Sequence, residues 1–240
     1  ANVSAGTSIF GMVVLERALK GYYPEIDIVA SPTGRMVAMS HANTCTSDIN
    51  AWVKLLGGDY DRLFKESLKG DPDCGGVVTV PYLSGEPIVH MDEGRPLVVR
   101  EPDSKLTLGN FMRANIYSAF TTMCLGLDLV KAEGLKLKSV TGHGGIFKTP
   151  KVAQQYLADA LNAPVTCLAT AGEGGAWGVA ILAAFAASGD KRSKLEAFLA
   201  KEIFKGAKGV TLKPNKAGVK GFAKYQENFR KAIRAIPAVI

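Results

Sequence analysis

The chain has 240 residues, of which 47% are hydrophobic and 21% charged, the composition of an ordinary globular protein that can bury a substantial core. It contains no run of eighteen apolar residues, which excludes a membrane-spanning helix of the usual length. The formal net charge of +7 is concentrated at residues 201–240, where ten Lys or Arg accompany two Glu. A basic tail can bind nucleic acid or an anionic surface, but a solvated helix face explains this charge better, so we expect no nucleic-acid partner.

The cysteine spacing and the first residues bear on the compartment and on the start of the chain. Four cysteines lie 29, 50 and 43 residues apart, with no CxxC pair and no histidine at metal-ligand spacing. This pattern favours buried reduced thiols, no metal site and a cytoplasmic location.

The first six residues have neither an initiator Met nor a signal-peptide pattern. We therefore interpret the chain as beginning inside a longer protein, within a hairpin strand whose outer edge is expected to be unpaired.

The first eighty residues predict two hairpins followed by helices. A turn at residues 5–8 separates short apolar runs, and Pro32 with Gly34 favours a turn between strands at 26–30 and 35–39. His41, Asn43 and Cys45 follow the second of these strands, where α/β domains often place ligand groups, but a packed or capping cluster is the commoner role. Helices are predicted at 48–56 and 60–68, each ended by glycine. A strand at 77–82 and a long Gly- and Pro-rich stretch come next, and such loops are often functional.

The remainder of the chain predicts an α/β domain. Apolar residues at helical spacing indicate a long helix over 110–131. Strands at 136–140 and 165–169 alternate with helices at 150–161 and 177–187, which is the order of an α/β sheet protein. Two amphipathic helices, at 193–204 and 219–236, follow, and a Gly- and Lys-rich connection joins them.

Two glycine-containing turns are candidate sites for an anion or a nucleotide. One, residues 141–150, lies between a predicted strand and helix, with Thr149 as the helix cap and Pro150 as the first helical residue. Glycines let a ligand approach the backbone, and a helix N-terminus offers free N–H groups. The other, residues 5–8, has two hydroxyls beside exposed N–H groups. Alone, the 141–150 turn is equally compatible with a simple connection, and the 5–8 turn is more typical of a hairpin whose Thr and Ser bond their own backbone. Neither matches the Rossmann or P-loop pattern.

Five segments, in the same order along the chain, resemble motifs of the FGGY carbohydrate kinases. They are SAGTS at 4–8, PYLSGE at 81–86, LTLG at 106–109, Gly144-Gly145 followed by Gln154 and LAD at 157–159, and EGGAWGVAI at 173–181. The family counterparts are the SxGTS turn that opens the C-terminal domain, the PYLSGE loop, the GLT segment, the GGG and Q.LAD stretch and EAGALGAAI. The resemblance spans most of the chain.

This resemblance implies a fold and a set of roles. FGGY kinases fold as two actin-like, ribonuclease-H-like domains with ATP in the cleft, so residues 1–240 are expected to be a single C-terminal nucleotide-binding domain, α/β with a mixed sheet flanked by helices. The catalytic Asp and most sugar contacts would lie in the N-terminal domain, so we expect neither a catalytic residue nor a metal ligand in this chain. ATP, with Mg²⁺, would contact Gly6, Thr7 and Ser8 at its terminal phosphates, and Gly109, Gly144, Gly145 and Thr149 at its adenine and ribose.

Three positions and one helix depart from the family pattern. His143 stands where Gly is common, Ala5 and Trp177 where Leu is usual, and residues 118–122 replace the usual RAxxEG. A role for His143 at the nucleotide is one interpretation, but a single His in such a turn more often bonds locally or faces solvent.

The implied activity is transfer of the ATP γ-phosphoryl group to a hydroxyl of a ketose or polyol, with D-xylulose as the first candidate. The isolated chain would bind nucleotide but would lack sugar contacts. Two alternatives stay open: a catalytically inactive kinase relative, or an actin-like ATPase that regulates a protein partner. FGGY relatives occur in several oligomeric states, so a homo-oligomer is compatible with the resemblance.

Overall fold

The computed structural model of the chain describes residues 1–170, 172, 174–188 and 194–236. The strands are β1 (Asn2–Ala5), β2 (Ile9–Val14), β3 (Asp27–Ala30), β4 (Met36–Ala42), β5 (Val78–Val80), β6 (Leu97–Val99), β7 (Val140–His143), β8 (Val165–Leu168) and β9 (Gly209–Leu212). The helices are α1 (Thr46–Leu55), α2 (Tyr60–Glu66), α3 (Leu108–Ala132), α4 (Val152–Leu161), α5 (Gly174–Ala187), α6 (Leu195–Phe198) and α7 (Lys216–Arg234). Among the described residues, no helix is both long and apolar enough to cross a membrane.

Seven of the strands form one mixed sheet in the order β3-β4-β2-β1-β7-β8-β9. Strand β1 lies in the middle, antiparallel to β2 and parallel to β7. The expected unpaired edge is therefore wrong, because β7 returns from far along the chain to occupy it. Side chains alternate between the two faces: Val3, Ile9 and Val13 are buried, whereas their neighbours Ser4 and Phe10 are only half-buried.

The long helix α3 packs against one face of the sheet and forms the centre of the core. It is buried on almost every side, because the sheet contacts it on one side and α4 and α7 on the other. A Cβ at Gly11 of β2 would lie 2.8 Å from the Met123 sulfur, so this glycine lets α3 approach the sheet closely. On the far side of α3, Tyr117 packs edge-to-face on Tyr156 and Tyr225 at centroid distances of 5.2 and 5.4 Å.

Pairing across the sheet overrides several local predictions. The strand predicted at 136–140 is wrong, since β7 begins at Val140, where residues 141–143 pair with β1. The Gly- and Lys-rich connection contains β9, which pairs antiparallel with β8. The strand predicted at 35–39 continues to Ala42 along β2.

The helix predicted at 193–204 includes one residue outside the described part of the chain. The described residues form α6, followed by a π-helical turn at Leu199–Ile203.

Glu133 fastens the loop after β2 to the end of α3 and should make stability depend on pH. Its carboxylate accepts hydrogen bonds from the backbone N–H groups of Gly21 and Lys20 and pairs with Arg17, and these bonds lower the pKa of Glu133 to about 2. The stabilisation should be present above the ordinary pKa of 4.5 and be lost as the pH falls from there towards 2. In urea unfolding, Glu133→Gln should lower the midpoint at neutral pH, and the difference from wild type should shrink below about pH 4. A difference that grows with acidity would contradict this account.

Candidate functional site

The two glycine-containing turns leave the sheet side by side. Strands β1 and β7 are parallel, and Ser4 lies opposite His143. The turns that follow these two strands therefore lie at the same edge of the sheet. Gly144 has a φ of 119°, and a Cβ built there would overlap the carbonyl oxygen of Ala5. The two turns are therefore in direct backbone contact, and this contact requires glycine at position 144.

The 6–8 turn closes the β1–β2 hairpin and presents polar groups outward. Gly6 donates its N–H to the Ser8 carbonyl at 2.9 Å, and both Gly6 and Thr7 are exposed. Within the part of the chain that the structure describes, the Thr7 hydroxyl makes no hydrogen bond. The Ser8 hydroxyl, in contrast, donates to the Asn43 carbonyl at 3.0 Å and helps to hold the turn. Thr7 is thus the hydroxyl of this turn that is available to a ligand.

Residues that follow β4 brace the 6–8 turn from below. The Cys45 N–H donates to the Thr7 carbonyl at 2.8 Å. Thr46, the first residue of α1, donates its N–H and its hydroxyl to the Gly6 carbonyl, at 3.2 and 2.7 Å. Sequence reasoning favoured a packed or capping role for Asn43 and Cys45 but did not predict that they hold this turn. The sequence signal for these residues was only their position after a predicted strand. Their hydrogen bonds to the turn depend on a contact across the sheet, which local sequence does not show.

The second turn contains a short 3₁₀ turn, Gly145–Phe147, which begins with a glycine. Gly145 is exposed, and a Cβ there would meet nothing within 4 Å. Phe147 anchors the segment by stacking on Phe120 of α3 at a centroid distance of 6.4 Å. Lys148 and Lys151 are exposed and have no ion pair among the described residues, so they leave positive charge beside Gly145 that favours an anionic ligand.

Thr149 does not have the predicted capping role. Helix α4 begins at Val152, and the residue at its N-cap is Lys151, in the left-handed conformation with a φ of 68°. Thr149 is buried. The local pattern failed because Ile146 and Phe147 pack inward and form the 3₁₀ turn, so the chain needs four more residues to enter α4.

Gly109 is not brought to the two turns. It lies in the first turn of α3, buried where a Cβ would come within 3.0 Å of the Gly70 nitrogen. Phe120, which contacts Phe147 beside the second turn, is eleven residues further along α3, or about 16 Å along the helix axis. The structure gives Gly109 a packing role against Gly70, and its adenine role stays a prediction.

The two histidines near the site are bonded or stacked within the protein. His143 lies 3.0 Å, through Nε2, from the Asn2 side-chain oxygen, and burial lowers its pKa. His41 stacks on Phe10 at a centroid distance of 4.2 Å. Cys45 is buried and the Asn43 side chain is hydrogen-bonded to Gly85, so these residues have internal contacts, in line with the predicted packed or capping role.

Two cavities are not lined by Gly6, Thr7, Ser8, Gly109, Gly144, Gly145 or Thr149, although the second adjoins the 141–150 turn. A groove of about 1010 Å³ runs between α7 and the loops that precede α3. An apolar cavity of about 660 Å³ separates α5 from the sheet face opposite α3, and His143, Phe10 and Trp177 line it. Within the described residues, no group of three His, Cys, Asp or Glu is placed to hold a metal ion.

Residues 1–187 match the model of the C-terminal domain of the FGGY family of carbohydrate kinases. The chain belongs to this family. It is 26% identical over 168 residues to the xylulose kinase of Haemophilus influenzae. The matched region covers 70% of this chain and 34% of that protein. The chain thus spans about a third of the length of this curated relative.

Solved structures show the same fold. The xylulose kinase of Brucella ovis superposes with a TM-score of 0.77 at 20% identity over 100% of this chain and 48% of that one. The xylulose kinase of Bifidobacterium adolescentis has a TM-score of 0.68 at 22% identity over 93% and 42%. The glycerol kinase of Plasmodium falciparum, solved with ADP, has a TM-score of 0.75 at 17% identity over 97% and 46%. The predicted ribonuclease-H-like (actin-like ATPase) fold, with a mixed sheet flanked by helices, is confirmed for this FGGY chain.

Proposed function

We propose that this chain is the ATP-binding half of a carbohydrate kinase, folded as one nucleotide-binding domain over residues 1–240. One observation carries the proposal: the backbone contact between Ala5 and Gly144 sets the exposed Gly6 and Thr7 beside the exposed Gly145. A hydroxyl without an internal partner and open glycine backbone are the groups that phosphate oxygens need. The residues present therefore fit a nucleotide.

Phosphoryl transfer depends on positioning and on charge neutralisation more than on covalent chemistry. In this proposal the 6–8 turn binds and orients the terminal phosphates through the Thr7 hydroxyl and the turn backbone. Gly145 leaves room for the ribose and adenine side, and Lys148 and Lys151 add positive charge nearby. Mg²⁺, when bound to the phosphates, would neutralise part of their charge.

The acceptor and the general base are proposals for the complete protein. We propose that an Asp base and most sugar contacts belong to residues outside this chain, which spans less than half the length of the solved kinases. A ketose or polyol is the proposed acceptor class, and the xylulose kinase relative makes D-xylulose the first to test. We expect the chain alone to bind ATP weakly and to phosphorylate no sugar.

Calorimetric titration with ATP and Mg²⁺ tests the nucleotide site. Gly145→Asp adds a carboxylate in open space, where it leaves packing intact but repels phosphates, and it should weaken ATP binding at least about tenfold. Gly145→Ala is the control for folding, because its Cβ meets no protein atom within 4 Å, and it should weaken ATP binding less than Gly145→Asp does, since it adds bulk beside the ligand but no charge. Equal heats for wild type and Gly145→Asp would refute the placement of the site.

A further inference from the structure

Glu86 is a buried carboxylic acid close to the proposed phosphate site. It is not one of the residues proposed to contact the nucleotide. It belongs to the PYLSGE segment, and its side chain has no exposed surface. One carboxyl oxygen, Oε2, accepts a hydrogen bond from the Asn43 N–H at 2.8 Å. The other oxygen, Oε1, is buried without a hydrogen-bond partner among the described residues. A buried carboxyl group with one unsatisfied oxygen is costly to fold, so its position calls for a structural explanation.

A second bond ties the same two segments together. The Asn43 side-chain amide donates to the Gly85 carbonyl at 2.8 Å. The backbone of Glu86 is itself held, since it exchanges hydrogen bonds with Met91 at 2.7 and 3.2 Å. Asn43 is therefore clamped from its backbone and from its side chain by a loop that is itself fixed.

The clamp continues into the 6–8 turn. The Asn43 carbonyl accepts the Ser8 hydroxyl at 3.0 Å, and the two residues that follow Thr44 donate to the Thr7 and Gly6 carbonyls. Each residue of the 6–8 turn thus has one oxygen bonded to the 43–46 segment. A continuous chain of hydrogen bonds leads from the Glu86 carboxyl through Asn43 to the turn.

We propose that Glu86 is a positioning residue for the phosphate-binding turn: it holds Asn43, and the 43–46 segment holds Gly6, Thr7 and Ser8 in the conformation that receives the nucleotide. This inference rests on the proposed nucleotide site for its function but not for its structural part. It assigns the PYLSGE segment a role in ordering a site that it does not itself touch.

Amide hydrogen exchange, measured on the chain without nucleotide, tests the structural part. Glu86→Ala should speed exchange in the peptides that contain residues 6–8 and 43–46 at least about tenfold. Glu86→Gln keeps an acceptor for the Asn43 N–H and should exchange like wild type. Glu133→Ala is the matched control, because it removes a carboxylate that also accepts backbone N–H groups, and it should speed exchange only near Lys20. If Glu86→Ala does not fold, Glu86→Asp, which keeps a carboxyl group but draws it back from the Asn43 N–H, takes its place with the same expected pattern.

Calorimetry with Mg²⁺ and ATP on the same variants tests the functional part. Glu86→Ala should bind at least about tenfold more weakly than wild type, whereas Glu86→Gln and Glu133→Ala should stay within about threefold. Unchanged exchange at 6–8 in both Glu86→Ala and Glu86→Asp would overturn the positioning role, whatever the affinities. If wild type itself gives no heat, the proposed function fails, and the exchange pattern still decides whether Glu86 orders the turn.

Discussion

Gly144→Ala should destabilise the protein by about 3–5 kcal/mol, the sum of a strained φ and of overpacking against backbone. The new methyl group would overlap the Ala5 carbonyl oxygen and approach the Ala5 nitrogen to 3.1 Å. Neither atom is free to move, since β1 is paired with β2 on one side and with β7 on the other. The variant should also lose nucleotide binding, because the two turns can no longer touch.

Urea unfolding at constant pH, followed by circular dichroism, measures the effect, and Gly145→Ala provides the matched control. The two substitutions add the same methyl group to adjacent glycines, but the second enters open space and should change the free energy of unfolding by less than about 0.5 kcal/mol. If the two variants proved equally stable, the backbone contact between the turns would be disproved.

The stability of the wild-type chain should fall as the pH rises from about 4.5 to about 7, and Glu86→Gln should lack this part of the decline. Burial raises the pKa of Glu86 from 4.5 to about 7. A carboxyl group whose pKa is higher in the folded state favours folding while it is protonated, and this advantage is lost as the pH passes through the folded pKa. The difference between the two pKa values corresponds to about 3 kcal/mol.

The measurement is the free energy of unfolding of both proteins between about pH 5 and about pH 8.5. Every other titrating group is shared, so the difference between the two curves isolates Glu86. Relative to its value at the acidic end, the wild-type curve should drop below that of Glu86→Gln as the pH rises. A wild-type curve that rises relative to the variant would show that the Glu86 carboxylate is better satisfied than its burial indicates.

Local pattern predicted most elements of this fold because their apolar residues recur at helical or strand spacing. The helix at 110–131 corresponds to α3, and the 5–8 hairpin corresponds to β1 and β2. The failures have one physical cause, which is pairing between distant segments. Residues 140–143 become a strand because β1 lies beside them, and the Gly- and Lys-rich connection becomes β9 because β8 offers a free edge.

The candidate site divides in the same way. The five ordered motifs indicated the family, and those at 4–8 and 144–145 located the two turns, because motif residues and their order are properties of the sequence itself. Sequence reasoning did not find that the Ser8 hydroxyl is hydrogen-bonded to the Asn43 carbonyl, that Thr149 is buried, or that Gly109 packs against Gly70. These facts depend on contacts between segments that are distant in the sequence, and a motif does not state what its side chains contact.

By itself, then, the sequence determined the family, the α/β class and the presence of two glycine-containing turns, since composition, periodicity and motif order are properties of the chain alone. Only the tertiary structure decided that the turns touch at Ala5 and Gly144. It also decided that Glu86 is hydrogen-bonded to Asn43, which in turn contacts the 6–8 turn. Those contacts join residues that are distant in the sequence, and they form only when parallel strands and a distant loop are brought to one edge of the sheet.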